Sequence, residues 1–240
     1  MKIKEIEKDF YVYVFPPKED NKFGYNIYVI IDKKEALVID TGYKKHINKV
    51  LEDLKNKNIK ITKVIISHFH LDNISGLTEL KADDIIGSED YEKTLDFFLD
   101  SDQHHLYKPN IKINQERKFK FGNFDLRISK FPGHAHCSIL IFINEKFLHV
   151  GDELVYTNDG KDLLPYINKS TIKRHIKALE NLKKYSNYII LPTHGEIVKR
   201  KDLILEDLNC RLKFLKELDL ESKNLSYNEV IEECNKKFNN

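Results

Sequence analysis

The stretch SHFHLDNISGL, residues 67–77, decides how the rest of the chain is read. It places His68, His70 and Asp72 at alternate positions directly after the apolar run KVII. In an extended segment, side chains two residues apart leave the same face. Two imidazoles on one face can converge on a single Zn²⁺ at about 2.0–2.1 Å, and a carboxylate two residues further on adds an oxygen donor. Taken alone, the triplet is equally a polar loop with unrelated histidines, so the rest of the chain has to settle the reading.

Three other segments bear on it: PGHAHCS (132–138), HVGDE (149–153) and LPTHGE (191–196). Each sets a histidine or an aspartate on a short turn after a strand-like run, with a glycine beside the candidate donor. Glycine permits a tight turn or a close backbone approach. Singly, each is a bland turn. Together with SHFHLDN they put His134, Asp152 and His194 alongside His68, His70 and Asp72 as candidate metal ligands.

The surrounding pattern tells where these turns lie. YVYVF (11–15), NIYVII (26–31) and EALVID (35–40) read as strands, with Asp32-Lys33-Lys34 turning between the last two. Apolar positions at helical spacing give a helix over 44–57, and KVIIS (63–67) is a short buried strand with the histidine motif on the loop at its end. Residues 88–99 read as a helix opened by a serine cap, and 101–116 as irregular. FKFGNFDLRISKF (119–131) is a hairpin, SILIFI with FLHVGD another, 170–185 an amphipathic helix, and YIIL (188–191) a buried strand. From about 200 to the end the pattern is helical, broken near Ser222–Ser226. The order predicts an α/β (α+β) fold of two sheets with helices on their outer faces, and sites on loops at strand ends.

Composition narrows the classes. The 240 residues are 41% apolar and 32% charged with a net charge of +2, which fits a globular chain and gives no basic patch for nucleic acid. MKIKEIEKDF has no apolar h-region and no apolar stretch is long enough to cross a bilayer, so a cytoplasmic protein without a membrane partner is expected. Cys137, Cys210 and Cys234 are odd in number and contain no CxxC, so no disulfide framework is expected.

In this order the motifs resemble the metallo-β-lactamase superfamily, over roughly residues 10–200. DTG (40–42) is similar to that family's first motif, SHFHLDN to its HxHxDH loop, PGHAHCS to its G-H turn, GD (151–152) to its bridging aspartate and PTHGE to its last histidine. The resemblance implies a four-layer αβ/βα sandwich over residues 1–200, with 201–240 as a C-terminal helical extension packed on the same domain. It implies a first metal on His68, His70 and His134, a bridging Asp152, a second metal on Asp72 and His194, and Asp40 as a support. Asn73 departs from the family pattern, which has a histidine there. An amide is a poorer donor than an imidazole, so occupancy is one metal, or two with the second labile. His136 is expected in a substrate-pocket or structural role, and His104 and His105 as solvated. His46, His149 and His175 have no motif context.

The activity the resemblance implies is hydrolysis of a small ester, thioester, lactone or amide by metal-activated hydroxide. Zinc is the expected metal, with iron or manganese as alternatives, and Asp72 orients or deprotonates the water. The alternative is a mononuclear iron persulfide-dioxygenase-like oxidation on His68, His134 and Asp152. A non-enzymatic metal-binding domain is a third reading, against which the full donor set argues. The expected partner is a small-molecule substrate. The C-terminal helical spacing through Leu203, Leu208, Leu212, Leu215 and Leu218 serves equally to pack on the sandwich or to form a homodimer contact.

Overall fold

The computed structural model describes residues 1–17, 23–165, 167 and 169–220. The first half of the chain builds a seven-stranded sheet in sequential order: β1 (Lys2–Glu7), β2 (Phe10–Phe15), β3 (Tyr25–Asp32), β4 (Glu35–Ile39), β5 (Lys60–Ile65), β6 (Asp84–Ser88) and β7 (Ile111–Ile113). The strands are antiparallel up to β4 and parallel from β4 onward. Helices α1 (Lys44–Asn56), α2 (Leu71–Ile74) and α3 (Tyr91–Leu95) fall in the connections between the parallel strands. Parallel pairing needs such crossovers, because a two-residue hairpin cannot return the chain in the same direction.

The second half builds a five-stranded sheet from β8 (Arg117–Phe121), β9 (Phe124–Lys130), β10 (Ile139–Ile143), β11 (Phe147–Gly151) and β14 (Ile189–Pro192), in the order β14-β11-β10-β9-β8. Between β11 and β14 come the small ribbon β12 (Val155–Tyr156) with β13 (Asp162–Leu163) and the helix α4 (Ile172–Leu182). Helix α5 (Lys201–Asp219) follows β14.

Side-chain alternation assigns the layers. In β3 and β4, Tyr28, Ile30, Leu37 and Ile39 face the second sheet, where they meet Phe124, Ile128, Ile139, Ile141 and Phe147. The intervening Ile27, Val29, Ala36 and Val38 face outward onto Ile47, Val50 and Leu54 of α1. In β10 the odd-numbered isoleucines point into the inter-sheet core, while Leu140 and Phe142 point out to Leu179 and Leu182 of α4 and to Leu208, Leu212 and Leu215 of α5. These strands are buried on both faces, as strands covered by helices on one side and a sheet on the other must be. The result is a four-layer helix–sheet–sheet–helix sandwich.

Some elements differ from the sequence reading. The expected helix over 88–99 is β6 running to Ser88, then a one-turn helix, Tyr91–Leu95; the Ser88 hydroxyl accepts from the Asp90 N–H at 3.2 Å. β1 was hidden because KIKEIE is a charged, largely exposed edge strand, a composition that discourages pairing with other chains. In α5 it is Ile204 rather than Leu203 that enters the core. The expected break near Ser222–Ser226, Cys234 and the remainder of the 201–240 extension beyond Leu220 lie outside the described residues.

Candidate metal centre

Strands β4 and β5 run parallel, as do β11 and β14, and their C-terminal ends open at one edge of the sandwich. Backbone bonds close that edge across the two sheets: Ile139 N–H donates to Ser67 C=O at 2.9 Å and Asn26 N–H to Thr193 C=O at 2.8 Å. The loops leaving these strands carry the candidate donors. His68, His70 and Asp72 follow β5, His134 lies between β9 and β10, Asp152 follows β11, and His194 follows β14.

The fold brings these residues into two groups, His68, His70, His134 and Asp152, and Asp72, Asp152 and His194, each with one donor atom per residue within 4.8 Å of the others. Asp152 belongs to both. Four donors on a tetrahedron of the usual zinc radius stand about 3.3 Å apart. Here His134 Nε2 is 3.1 Å from His70 Nδ1, and Asp152 Oδ2 is 3.6 Å from His68 Nε2 and 3.9 Å from His134 Nε2. His194 Nε2 is 3.4 Å from both Asp72 Oδ2 and Asp152 Oδ2. The second oxygen of Asp152 is buried and has no partner among the described residues. Nitrogen and oxygen donors at these separations, with an unsatisfied buried carboxylate oxygen among them, fit a divalent cation.

Neighbouring groups fix which ring atoms face inward. Ser67 Oγ donates to Asp40 Oδ2 at 2.7 Å and lies 3.1 Å from His68 Nδ1, so that nitrogen carries the proton and Nε2 keeps its lone pair. Asp40 also accepts from the Ser67 N–H at 2.8 Å and is fully buried, and burial raises its pKa to about 7 despite these bonds. His194 Nδ1 donates to the Gly24 carbonyl at 2.9 Å, which turns its Nε2 toward the two carboxylates. The His134 N–H donates to Glu153 Oε1 at 2.8 Å. Only glycine fits at 133, since a Cβ there would lie 2.3 Å from the other Glu153 oxygen.

Burial, reinforced by the neighbouring imidazoles, drives the pKa of His68 and of His134 well below the ordinary histidine value, so both keep neutral lone pairs at neutral pH. Burial also lowers His70. His194 behaves oppositely: burial works to lower it, but Asp152 and Asp72 together push it up to about 10. Burial works to raise Asp72, and the His194 hydrogen bond and charge outweigh it and hold the carboxyl below its usual range.

Asn73 is fully buried in α2, its Nδ2 3.2 Å from His68 Nε2 and 3.3 Å from Asp72 Oδ1. Its side-chain oxygen has no partner among the described residues. His136 lies outside both donor groups and lines an adjoining cavity with His70, His134, Phe97, Phe98 and Arg174.

Several surrounding groups had no sequence signal. His149 is buried with Nε2 3.6 Å from Asp40 Oδ2, and His175 of α4 is buried with Nε2 3.8 Å from Glu153 Oε2. Each is a lone histidine whose partner is remote in sequence. His46 is buried against the rings of Phe15 and Tyr25. His104 is also buried rather than solvated, its Nε2 3.8 Å from Asp96 Oδ1, because the loop folds into a tight turn over Ser101–Tyr107; His105 is exposed as expected. Among the described residues no helix is long and apolar enough to cross a membrane.

Comparison with known proteins agrees with this architecture. The sequence profile of the metallo-beta-lactamase superfamily matches residues 20–194. A hydroxyacylglutathione hydrolase from Pelagibacter ubique (strain HTCC1062) is 28% identical over 195 residues, covering 79% of this chain and 77% of that protein. A metallo-beta-lactamase type 2 from Bacillus cereus is 27% identical over 187 residues, covering 75% of this chain and 70% of that one. Among solved structures, a metallo-beta-lactamase from Pontibacter korlensis superposes with a TM-score of 0.67 at 18% identity, over 90% of this chain and 98% of its own, a likeness of fold. With the profile matched across most of its length, the chain belongs to the metallo-beta-lactamase superfamily and is a metal-dependent hydrolase of that fold.

Proposed function

We propose that the chain hydrolyses a small ester, thioester, lactone or amide, with zinc as its metal. The observation that carries this reading is the convergence of His68, His70, His134, Asp152, Asp72 and His194 from separate loops into two donor groups that share Asp152. In this reading His68, His70, His134 and Asp152 hold the principal ion. Asp152, Asp72 and His194 hold a second, weaker one, because Asn73 supplies an amide in place of a further imidazole. A zinc ion bound there would supply Lewis acidity, lowering the pKa of water toward about 7 and polarising a carbonyl.

The chain's own groups do the rest. The low pKa of Asp72 keeps it ionised at neutral pH, so its carboxylate can take a proton from the attacking water. The Asn73 amide, 3.3 Å from Asp72 Oδ1, holds that carboxylate in orientation. Phe98, whose ring stands edge-on to His70 at 5.2 Å, gives the donors an apolar neighbour.

The oxidative alternative would use His68, His134 and Asp152 with open positions beside them. His70 joins those three in one group, and a set of three histidines and a carboxylate supports the hydrolytic reading better. The test is hydrolysis of a thioester, lactone and aryl ester panel by the protein as purified, after chelation, and after zinc is restored. We expect activity to vanish with the metal and return with it. Turnover indifferent to chelation would overturn the reading, and oxygen uptake by iron-loaded protein with a persulfide would favour the alternative.

A further inference from the structure

Beside His70 and His134 lies a cavity of about 200 Å³ whose lining includes Phe97, Phe98, His136 and Arg174. That lining combines two chemistries. Phe97 is 65% exposed and Phe98 45%, adjacent aromatic rings that an apolar group would cover with a sizeable gain in buried area.

Arg174, in the first turn of α4, is half-buried. Its Nε donates to the Gly133 carbonyl at 3.1 Å, and Nη1 lies 2.8 Å from His136 Nε2 and 3.0 Å from its Nδ1. An imidazole carries no negative charge, so His136 does not compensate the guanidinium. A guanidinium has five N–H donors in a planar fork. Among the described residues Nη2 has no partner and no carboxylate forms an ion pair with Arg174.

We infer that this cavity is the substrate's recognition site, and that it takes an apolar group carrying a carboxylate: the apolar part against Phe97 and Phe98, the carboxylate on the free edge of Arg174. This deepens the hydrolytic reading and rests on it for the bond that reacts, which would lie at the His70 and His134 end of the cavity. Guanidinium and carboxylate match as two parallel hydrogen bonds, so the fork sets orientation as well as affinity. Arg174 is a specificity residue here. Its Nε bond to Gly133 also steadies the turn that presents His134, and the test must separate the two roles.

Calorimetric titration of the metal-loaded protein with 4-phenylbutanoate and its neutral amide, 4-phenylbutanamide, does so. We expect the acid to bind at least about tenfold more tightly than the amide, as a charge-assisted pair gives over a neutral one. Arg174→Gln should bring the two within about twofold, Arg174→Lys should restore part of the gap, and the metal content of both variants should match wild type. Phe97→Ala should weaken acid and amide alike. A preference for the acid that survives in Arg174→Gln places the carboxylate on the metal and overturns the inference, as does equal or absent binding of the two by wild type. Titration reads binding, so failure to find any hydrolysis would sink the hydrolytic reading without being mistaken for failure of this one.

Discussion

The hydroxyl of Ser67 stands 3.1 Å from Nδ1 of His68 and passes the contact on to Asp40, which it reaches at 2.7 Å. The ring is thereby locked in one tautomer by a buried serine and a buried carboxyl. Groups that orient a ligand in this way are worth roughly 10–100-fold in metal affinity. Ser67→Ala should therefore weaken zinc binding by about that factor, read by competition with a chromophoric chelator. Unchanged affinity would show that the ring needs no such support.

Removing the donor itself should cost more than removing its support. His68→Ala is expected to lose tight metal binding and hydrolysis together, by more than the roughly hundredfold upper end for a supporting group. The circular dichroism of the sandwich should persist, because the inter-sheet core and the two helix-facing cores do not depend on this side chain. Wild-type turnover in the variant would show the assignment to be wrong.

In the proposed reading Asn73 limits the number of ions. As purified, wild type is expected to hold about one tightly bound metal per chain, and Asn73→His to approach two, measured by elemental analysis after gel filtration. Asn73 is fully buried, so the larger ring should also lower the stability of the metal-free protein, by about 1–3 kcal/mol as overpacking does. Two ions held with equal affinity by wild type would contradict the argument.

Gly151 precedes Asp152 with φ at +54°, and a Cβ on it would sit 3.0 Å from Ser67 Oγ and 3.3 Å from His68 Nδ1. Gly151→Ala should destabilise the fold by about 1–3 kcal/mol through backbone strain. It should also reduce metal affinity, because relief of the contact moves Ser67. A urea midpoint and the chelator competition read the two effects separately.

Protonation gives a prediction for protein stripped of metal. The folded pKa of His194 is raised to about 10, and burial raises Asp40 to about 7 and Glu153 to about 8. Each of these groups holds its proton to higher pH folded than unfolded, where histidine titrates near 6.5 and the carboxyls near 4. The His194 contribution is complete below about pH 6.5 and is lost as pH rises through about 10, and the buried carboxyls add to the loss up to about 8. The urea midpoint in chelator should fall steadily from pH 7 to 10, less steeply in His194→Gln. A rising midpoint would be incompatible with these shifts.

The strands whose residues alternate between two apolar environments were legible because period-two burial leaves continuous Val/Ile/Leu runs, as in NIYVII and SILIFI. The donors were legible for a different reason: SHFHLDN, PGHAHCS, HVGDE and LPTHGE are short, and each carries its chemistry within a few residues of a glycine or a strand end. Nothing local marked His149, His175 or Arg174, whose meaning comes from Asp40, Glu153 and His136 brought to them by the fold. β1 and β6 were missed because a charged edge strand and a five-residue strand give too little pattern to register.

The donors come from both halves of the sandwich. His68, His70 and Asp72 leave the first sheet, His134, Asp152 and His194 the second, and each group draws on both. An ion seated there would act as a clasp between two sheets that otherwise adhere through apolar contact and a few hydrogen bonds, such as those from Ile139 N–H to Ser67 C=O and from Asn26 N–H to Thr193 C=O. At a free concentration a thousand times its dissociation constant, such a clasp adds about 4 kcal/mol to the stability of the assembled sandwich. Metal supply would then bear on the stability of the folded chain as well as on its chemistry.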